Sequence, residues 1–320
     1  MAVNITTSAP GSIMVTGEHA VVYGYPSIVV AIDQRIRVEA TSIDTPTIEI
    51  LSDISEPVSM PLSDITVKGP MRFVLSAVEI YRNRLKSGLR LKIVSNINPT
   101  LGLGSSAAVT IACIGAVRLA CGLSIAKSEK QLIHTQALGI IRRLQGRGSG
   151  ADLAAALYGG AISYKLPEAM ITGDNWADGE VSKVATLPEP PPISLCYSGY
   201  KTPTGEVLAK IADAMKEREA YFQTVYKRMG KSAQLTIDAA KVEDWTRGAK
   251  HLNEYQLLMK DLGVSDEVMD SLVQKANNTD GVLAAKISGS GLGDCVLSVG
   301  DVPDGFDAVQ IAGQGLRQDV

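Results

Sequence analysis

Histidine is scarce in this chain, with three in 320 residues. A His-rich metal centre is therefore not expected. Cysteine is nearly as sparse: Cys113, Cys121, Cys196 and Cys295 lie far apart, with no CxxC pair. Cys113 and Cys121 fall in an apolar helical run and read as small buried hydrophobes rather than ligands. Such usage suits a reducing, cytoplasmic setting. There is no excess of positive charge either. Lys and Arg number 31 against 34 Asp and Glu, a formal net charge of −3, which argues against nucleic acid as the main partner. No apolar run reaches the roughly 18–20 residues that span a membrane. The opening MAVNITTSAPGS shows no basic segment followed by an apolar one, so no secretory signal is expected. No internal repeat or low-complexity tract is visible.

What is present is ordinary globular composition, 45% hydrophobic and 20% charged, enough for one large domain or two closely packed ones. Residues 13–40 hold β-branched runs broken by GEHAVVYGYP, which predicts strand, turn, strand. TIEIL at 47–51 and LRLKIVSNI at 89–97 predict further strands. PMRFVLSAVEIYRNRL at 70–85 has helical apolar spacing and a proline at its start. AAVTIACIGAVRLACGL predicts a buried helix, and SEKQLIHTQALGIIRRLQ an amphipathic one. GRGSGADLAAALYGGAISYK then reads as Gly-rich turn, short helix, GG break and strand, and 166–192 as a connection between halves. The second half opens on the strand ISLCYSG. Helices are expected at about 205–228, 231–250 and 265–278, followed by strand, Gly loop and strand over 282–299. Strands mixed with helices without strict βαβ alternation predict an α+β architecture.

The stretch PTLGLGSSAAVT at 99–110 admits two explanations. One is a turn capped by serine at a helix start, since Ser and Gly are good caps and Ala the best helix former. The other is an anion site, where free N–H groups at a helix N-terminus face a phosphate that glycine lets approach closely. Its place between a strand and a buried helix favours the anion site. Two more loops, GRGSGAD and ISGSGLGD, combine glycine and serine beside buried elements. None has the GxxxxGK[ST] spacing of a P-loop or the GxGxxG dinucleotide fingerprint.

Three segments carry a resemblance. APGSIMVTGEHAVVYGYPSIVVAID (9–33), PTLGLGSSAA (99–108) and AKISGSGLGDC (285–295) resemble the three motifs of the GHMP small-molecule kinases, in their order and at their usual separations. The first is closest in spelling to the mevalonate kinase branch. The resemblance implies the GHMP kinase fold: an N-terminal ATP-binding domain of unusual β-α-β topology over 1–165 and a C-terminal ferredoxin-like domain over 166–320, with the active site between. It also implies ATP, Mg²⁺ and phosphoryl transfer to a small-molecule alcohol, most nearly mevalonate, and leaves a homodimer open. Residue by residue, Gly102, Leu103, Gly104, Ser105, Ser106 and Ala107 would cradle the ATP phosphates, with the Ser106 hydroxyl facing Mg²⁺. Gly289, Ser290 and Gly291 would close over them. Asp152 falls on the family's catalytic aspartate, and Glu18 and His19 on residues near the acceptor.

Each assignment has a plainer alternative. Asp152 also reads as a carboxylate satisfying N–H groups at a helix start, and Glu18 and His19 as packed structural residues. Two positions depart from the family pattern and leave open a nucleotide-binding relative that is catalytically weak. The family's lysine near the catalytic aspartate is Ser12 here, and its Mg²⁺-binding glutamate falls on Ile141. Arg142, Arg143, Arg147 or Lys201 are the candidate replacements for the lysine. Other spellings, GSGAD and the Asp294–Cys295 pair, resemble phosphomevalonate kinases. In that reading SGYKTPTGEVL (198–208) offers Lys201, Thr202 and Thr204 to the acceptor.

Overall fold

The computed structural model describes residues 4–53, 55–98, 101–167 and 181–319. β1 (Asn4–Thr16) and β2 (Ser27–Ile43) form a long antiparallel pair with bulges after Pro10 and Met14. From Thr7 onward nearly every β1 residue is buried whichever way it points, so the strand reads as small and apolar rather than alternating. β5 (Gly88–Ser95) adds to β2, and β3 (Thr47–Ser52) then pairs with β5 in parallel. β4 (Ser55–Pro61) closes that edge. β6 (Ala161–Lys165) pairs with β2 near its start, and β7 (Lys183–Leu187) with β6. At the far edge β12 (Arg317–Asp319) lies on β1. The first layer therefore includes two strands from beyond residue 165.

Against this sheet pack α2 (Ser105–Ala120) and α4 (Ala151–Tyr158), both touching β1 and β2. α1 (Arg72–Tyr81) and α3 (Lys130–Gln145) pack on α2 in turn. α2 is rich in Ala and buried on all sides from Thr110 to Arg118, as a helix without a polar face must be. Its buried Arg118 is matched by Glu129 at 2.6 Å, the Tyr81 hydroxyl at 3.0 Å and the Ser124 carbonyl at 2.9 Å.

The second sheet is antiparallel, in the order β11 (Asp307–Val309), β8 (Ile193–Lys201), β10 (Gly293–Gly300), β9 (Val282–Ser288). α6 (Trp245–Asp261) and α7 (Glu267–Asn277) pack on it, each started by an aspartate cap, Asp244 to the Arg247 N–H and Asp266 to the Met269 N–H. α5 (Thr204–Ala240) packs on α6 and reaches β2. The sequence predicts a break near residue 230, but α5 runs through it. The Tyr25 ring occupies the space a side chain would need: a Cβ on Gly230 would sit 2.0 Å from Tyr25 Cδ1. The glycine is there for packing rather than for a turn, and α5 bends instead at Arg218, where φ is −138°. Consequently α6 begins at Trp245 rather than at 231.

The two layers share one hydrophobic core that runs from β1 and α2 to Leu297 and Val299 of β10. Polar contacts stitch the same seam: Ser288 Oγ donates to the Met14 carbonyl at 3.2 Å, and Tyr255 Oη to the Glu18 carbonyl at 2.7 Å. Part of the connection expected over 166–192 is β7; residues 168–180 lie outside the described residues.

Candidate active site

α2 begins directly after Gly104, and no side chain caps it, so its first-turn N–H groups face outward unclaimed by a cap. Gly102 and Gly104 both adopt left-handed backbone, φ 66° and 69°. The second has a further reason to be glycine: a Cβ there would lie 2.3 Å from Ser12 Oγ. Leu103 is buried and its carbonyl accepts from the Ser12 N–H at 3.1 Å. A Cβ on Gly11 would come 2.6 Å from that same carbonyl. The loop is thus pressed onto β1 at residues 11–12, leaving Ser105 and Ser106 partly exposed and Ala107 buried behind them. Pro99 and Thr100 of this motif lie outside the described residues.

Asp152 stands in the first turn of α4, one residue from Ala151, the helix's first. Gly150 turns the chain into α4 with φ 83°, and its carbonyl accepts from His134 Nε2 at 2.9 Å. Tyr164 Oη donates to the neighbouring Ser149 carbonyl. Ser12, itself buried, donates from Oγ to Asp152 Oδ1 at 2.8 Å. Burial pushes the Asp152 carboxyl above its ordinary value, and the Ser12 hydrogen bond pulls the other way. Ser12 therefore touches both the Gly loop and the carboxylate.

The cations named as replacements for a lysine are mostly engaged elsewhere. Arg142 Nε donates to the Gly148 carbonyl at 3.1 Å, and Arg143 pairs with Glu79 at 3.1 Å. Arg147 is exposed. Ile141 is buried and packs under Gly148, where a Cβ would meet its Cγ2 at 2.7 Å. That position holds the turn before α4 and offers no ligand. Lys201 Nζ lies 2.9 Å from Asp294 Oδ1.

The loop from Gly289 to Asp294 collects most of the remaining candidates. His19 Nε2 is 2.9 Å from the Ser290 carbonyl. Because a carbonyl only accepts, Nε2 carries the proton and Nδ1 is left as an acceptor. Burial lowers the His19 pKa to about 4, so the ring is neutral. Thr202 Oγ1 donates to the Leu292 carbonyl at 2.6 Å, and Thr204 Oγ1 to Ser290 Oγ at 3.5 Å. Glu18 is held chiefly from beneath, its Oε1 2.5 Å from the fully buried Lys286 Nζ, while the Gly289 backbone also bonds to its carboxylate. Lys286 also donates to the Ile287 carbonyl. Sequence reasoning passed over Lys286, since a single lysine in a strand ordinarily points to solvent, and it passed over Tyr255, whose hydroxyl holds the same turn.

The two groups of residues meet at Asp294. A Cβ on Gly102 would sit 3.3 Å from Asp294 Oδ1, and one on Gly289 3.3 Å from Oδ2. The buried Asp294 carboxylate thus lies between the two glycine loops. What results is a cradle of glycine backbone at a helix N-terminus, with Asp152 behind one side and a Gly-rich loop from the second sheet over the other. That arrangement suits phosphoryl transfer, in which positioning and charge neutralisation do most of the work. Among the described residues no group of three or more His, Cys, Asp or Glu side chains could hold a metal ion by itself. No helix among them is long and apolar enough to cross a membrane.

Comparison with known proteins agrees with this geometry. The model of the GHMP kinases N-terminal domain matches residues 72–160, and that of the GHMP kinases C-terminal domain matches 236–314. The chain belongs to the GHMP kinases, and is an ATP-dependent small-molecule kinase. Among its curated relatives, the mevalonate kinase of Pyrococcus furiosus is 33% identical over 92% of this chain and 89% of its own length. That of Thermococcus gammatolerans is 32% identical over the same shares. In structure, the Lin0012 protein of Listeria innocua matches with a TM-score of 0.85 at 23% identity, over 99% of both chains. Methanococcus jannaschii mevalonate kinase matches at 0.73 and 22%, over 92% of this chain and 90% of its own. At those identities the structural likeness establishes the fold.

Proposed function

We propose that this chain transfers the γ-phosphoryl group of ATP to the 5-hydroxyl of mevalonate, giving 5-phosphomevalonate and ADP. One observation carries the reading: Ser12 joins the phosphate loop to Asp152, packing on Gly104 while donating to the carboxylate. The base and the phosphate cradle are thereby held in one geometry. The mevalonate kinase relatives supply the acceptor.

In this reading residues 1–165 provide the nucleotide loop and 166–320 the covering one. The loop N–H groups from Gly102 to Ala107 bind the phosphates, and the partial positive charge of the α2 N-terminus offsets their charge. Asp152 accepts the proton of the acceptor hydroxyl as its oxygen bonds to phosphorus and the bond to ADP breaks. Its raised pKa makes it a better base than an exposed aspartate. His19, Thr202 and Thr204 border the covering loop and orient the acceptor, whereas Glu18 and Lys286 fix the turn that carries His19. Ser106, partly exposed on the phosphate loop, and the buried carboxylate of Asp294 beside Gly102 are the residues that would hold magnesium, an ion commonly bound by one or two carboxylates together with phosphate oxygens and water. When bound, Mg²⁺ supplies charge neutralisation at the β- and γ-phosphates.

The test is ADP release from Mg·ATP with mevalonate and 5-phosphomevalonate offered separately, followed by identification of the product. Turnover with mevalonate, with 5-phosphomevalonate formed, is expected. Turnover with only the phosphorylated acceptor would reject mevalonate as the substrate.

A further inference from the structure

Asp294 is an unusual residue to find where it is. It follows Gly293 in a loop of left-handed residues, with φ 101° at Gly289, 82° at Gly291, 53° at Leu292 and 118° at Gly293, and its own φ is 63°. A side chain in that backbone region carries a conformational cost that glycine avoids. The carboxylate is also 5% exposed and abuts the phosphate loop through Gly102. Oδ1 is fully covered and, among the described residues, accepts no hydrogen bond. Lys201 Nζ stands 2.9 Å from it as an ion pair, without hydrogen-bond alignment. A carboxylate accepts several hydrogen bonds when satisfied, so this one keeps coordinating capacity directed at the cradle.

Its charge decides what that capacity serves. A triphosphate seated on Gly102–Ser106 would bring oxyanions beside a buried carboxylate, and like charges in a partly desolvated site repel. A divalent cation between them reverses the sign. Magnesium is commonly held by one or two carboxylates plus substrate phosphates, and the described residues supply no larger cluster. The position where relatives in this family place such a carboxylate is Ile141, buried in apolar packing.

We propose that Asp294 is the carboxylate of the nucleotide's divalent cation site, with Lys201 as its counter-ion while the cradle is empty. Nucleotide and cation then displace Lys201 together. The inference rests on the kinase reading and adds to it a strict consequence. Binding of nucleotide and of cation are coupled through Asp294, and its removal weakens the coupling rather than nucleotide binding as such.

The experiment is calorimetric titration of ADP into the full-length protein, with Mg²⁺ and with EDTA, for wild type, Asp294→Asn and Lys201→Met. Thermal unfolding of each variant confirms that it is folded. Mg²⁺ is expected to tighten ADP binding to wild type about tenfold or more, the scale of a lost metal partner. For Asp294→Asn that gain falls to about twofold or less, and ADP in EDTA binds tighter than to wild type. In Lys201→Met the gain is kept or enlarged. Should Asp294→Asn not fold, electron paramagnetic resonance of Mn²⁺ with ADP decides on the two remaining proteins. Tighter Mn²⁺ retention by Lys201→Met than by wild type supports the assignment, and weaker retention overturns it. An unchanged Mg²⁺ gain in Asp294→Asn also overturns it while leaving the kinase reading intact. Failure of wild type to bind ADP under either condition would reject both.

Discussion

Ser12 Oγ donates to Asp152 Oδ1 at 2.8 Å, a bond between residues 140 apart in the chain. The serine stands where the family's pattern has a lysine, so a neutral donor does the orienting, and among the described residues no cation is paired with the carboxylate. Burial holds the Asp152 pKa above its ordinary value, and the Ser12 bond restrains that rise. Turnover should therefore fall as pH drops through the raised pKa, as the base becomes protonated. Ser12→Ala removes the restraining bond, so the acid limb of the kcat profile is expected to move to higher pH. A limb that stays in place would remove Ser12 from this role.

Gly104 should tolerate no side chain. Its φ of 69° disfavours one, and a Cβ would meet Ser12 Oγ at 2.3 Å. Gly146 has a similar φ of 75° with nothing within 4 Å. Gly146→Ala is expected to cost only the left-handed strain, about 1–2 kcal/mol. Gly104→Ala should cost more and also raise the KM for ATP several-fold. Chemical denaturation and steady-state kinetics of the pair separate the two effects.

The Glu18–Lys286 pair is buried on both sides. Desolvation raises the glutamate's pKa and lowers the lysine's, each opposed by the partner. Lys286→Met strands the carboxylate, whose Oε2 already lacks a hydrogen bond among the described residues, and a loss of about 3–5 kcal/mol is expected. Adding Glu18→Gln should recover much of it. Urea unfolding of the single and double variants provides the measurement, and equal losses in both would show that the pair is not coupled.

His19 and His134 are buried and neutral, their pKa values lowered to about 4. In the unfolded chain both protonate near 6.5. Between about pH 6.5 and 4 the unfolded state therefore binds more protons, and stability falls as pH falls, by at most about 1.4 kcal/mol per pH unit for each histidine. His134→Gln should flatten that slope by about half. Melting temperatures across this range would show it.

Much of this site was legible in the sequence because its chemistry is local. A Gly-Ser loop before an all-apolar helix leaves N–H groups at the helix start that favour an anion, and PTLGLGSSAAVT displays both parts of that pattern. Asp152 was legible for the same reason, as an acid at the start of a short helix after GRGSG. What could not be read depends on contacts distant in sequence. Gly230 looks like a helix breaker until the Tyr25 ring is placed against it. β12 has three residues, RQD, whose strand conformation comes from pairing with β1 more than 300 positions earlier. Lys286 reads as an exposed strand residue because its burial is set by Glu18 in the other half of the fold. Asp294 was visible as a spelling, but its position between Gly102 and Gly289 was not.

The most direct test follows a single turnover by Asp152→Asn, with Mg·ATP bound and mevalonate added, beside the wild type. Nucleotide affinity should be nearly unchanged while phosphoryl transfer to mevalonate slows by roughly 10²-fold or more, the scale of lost general-base help. Transfer at the wild-type rate would contradict the role of Asp152, and with it the site built around Ser12 and Gly104.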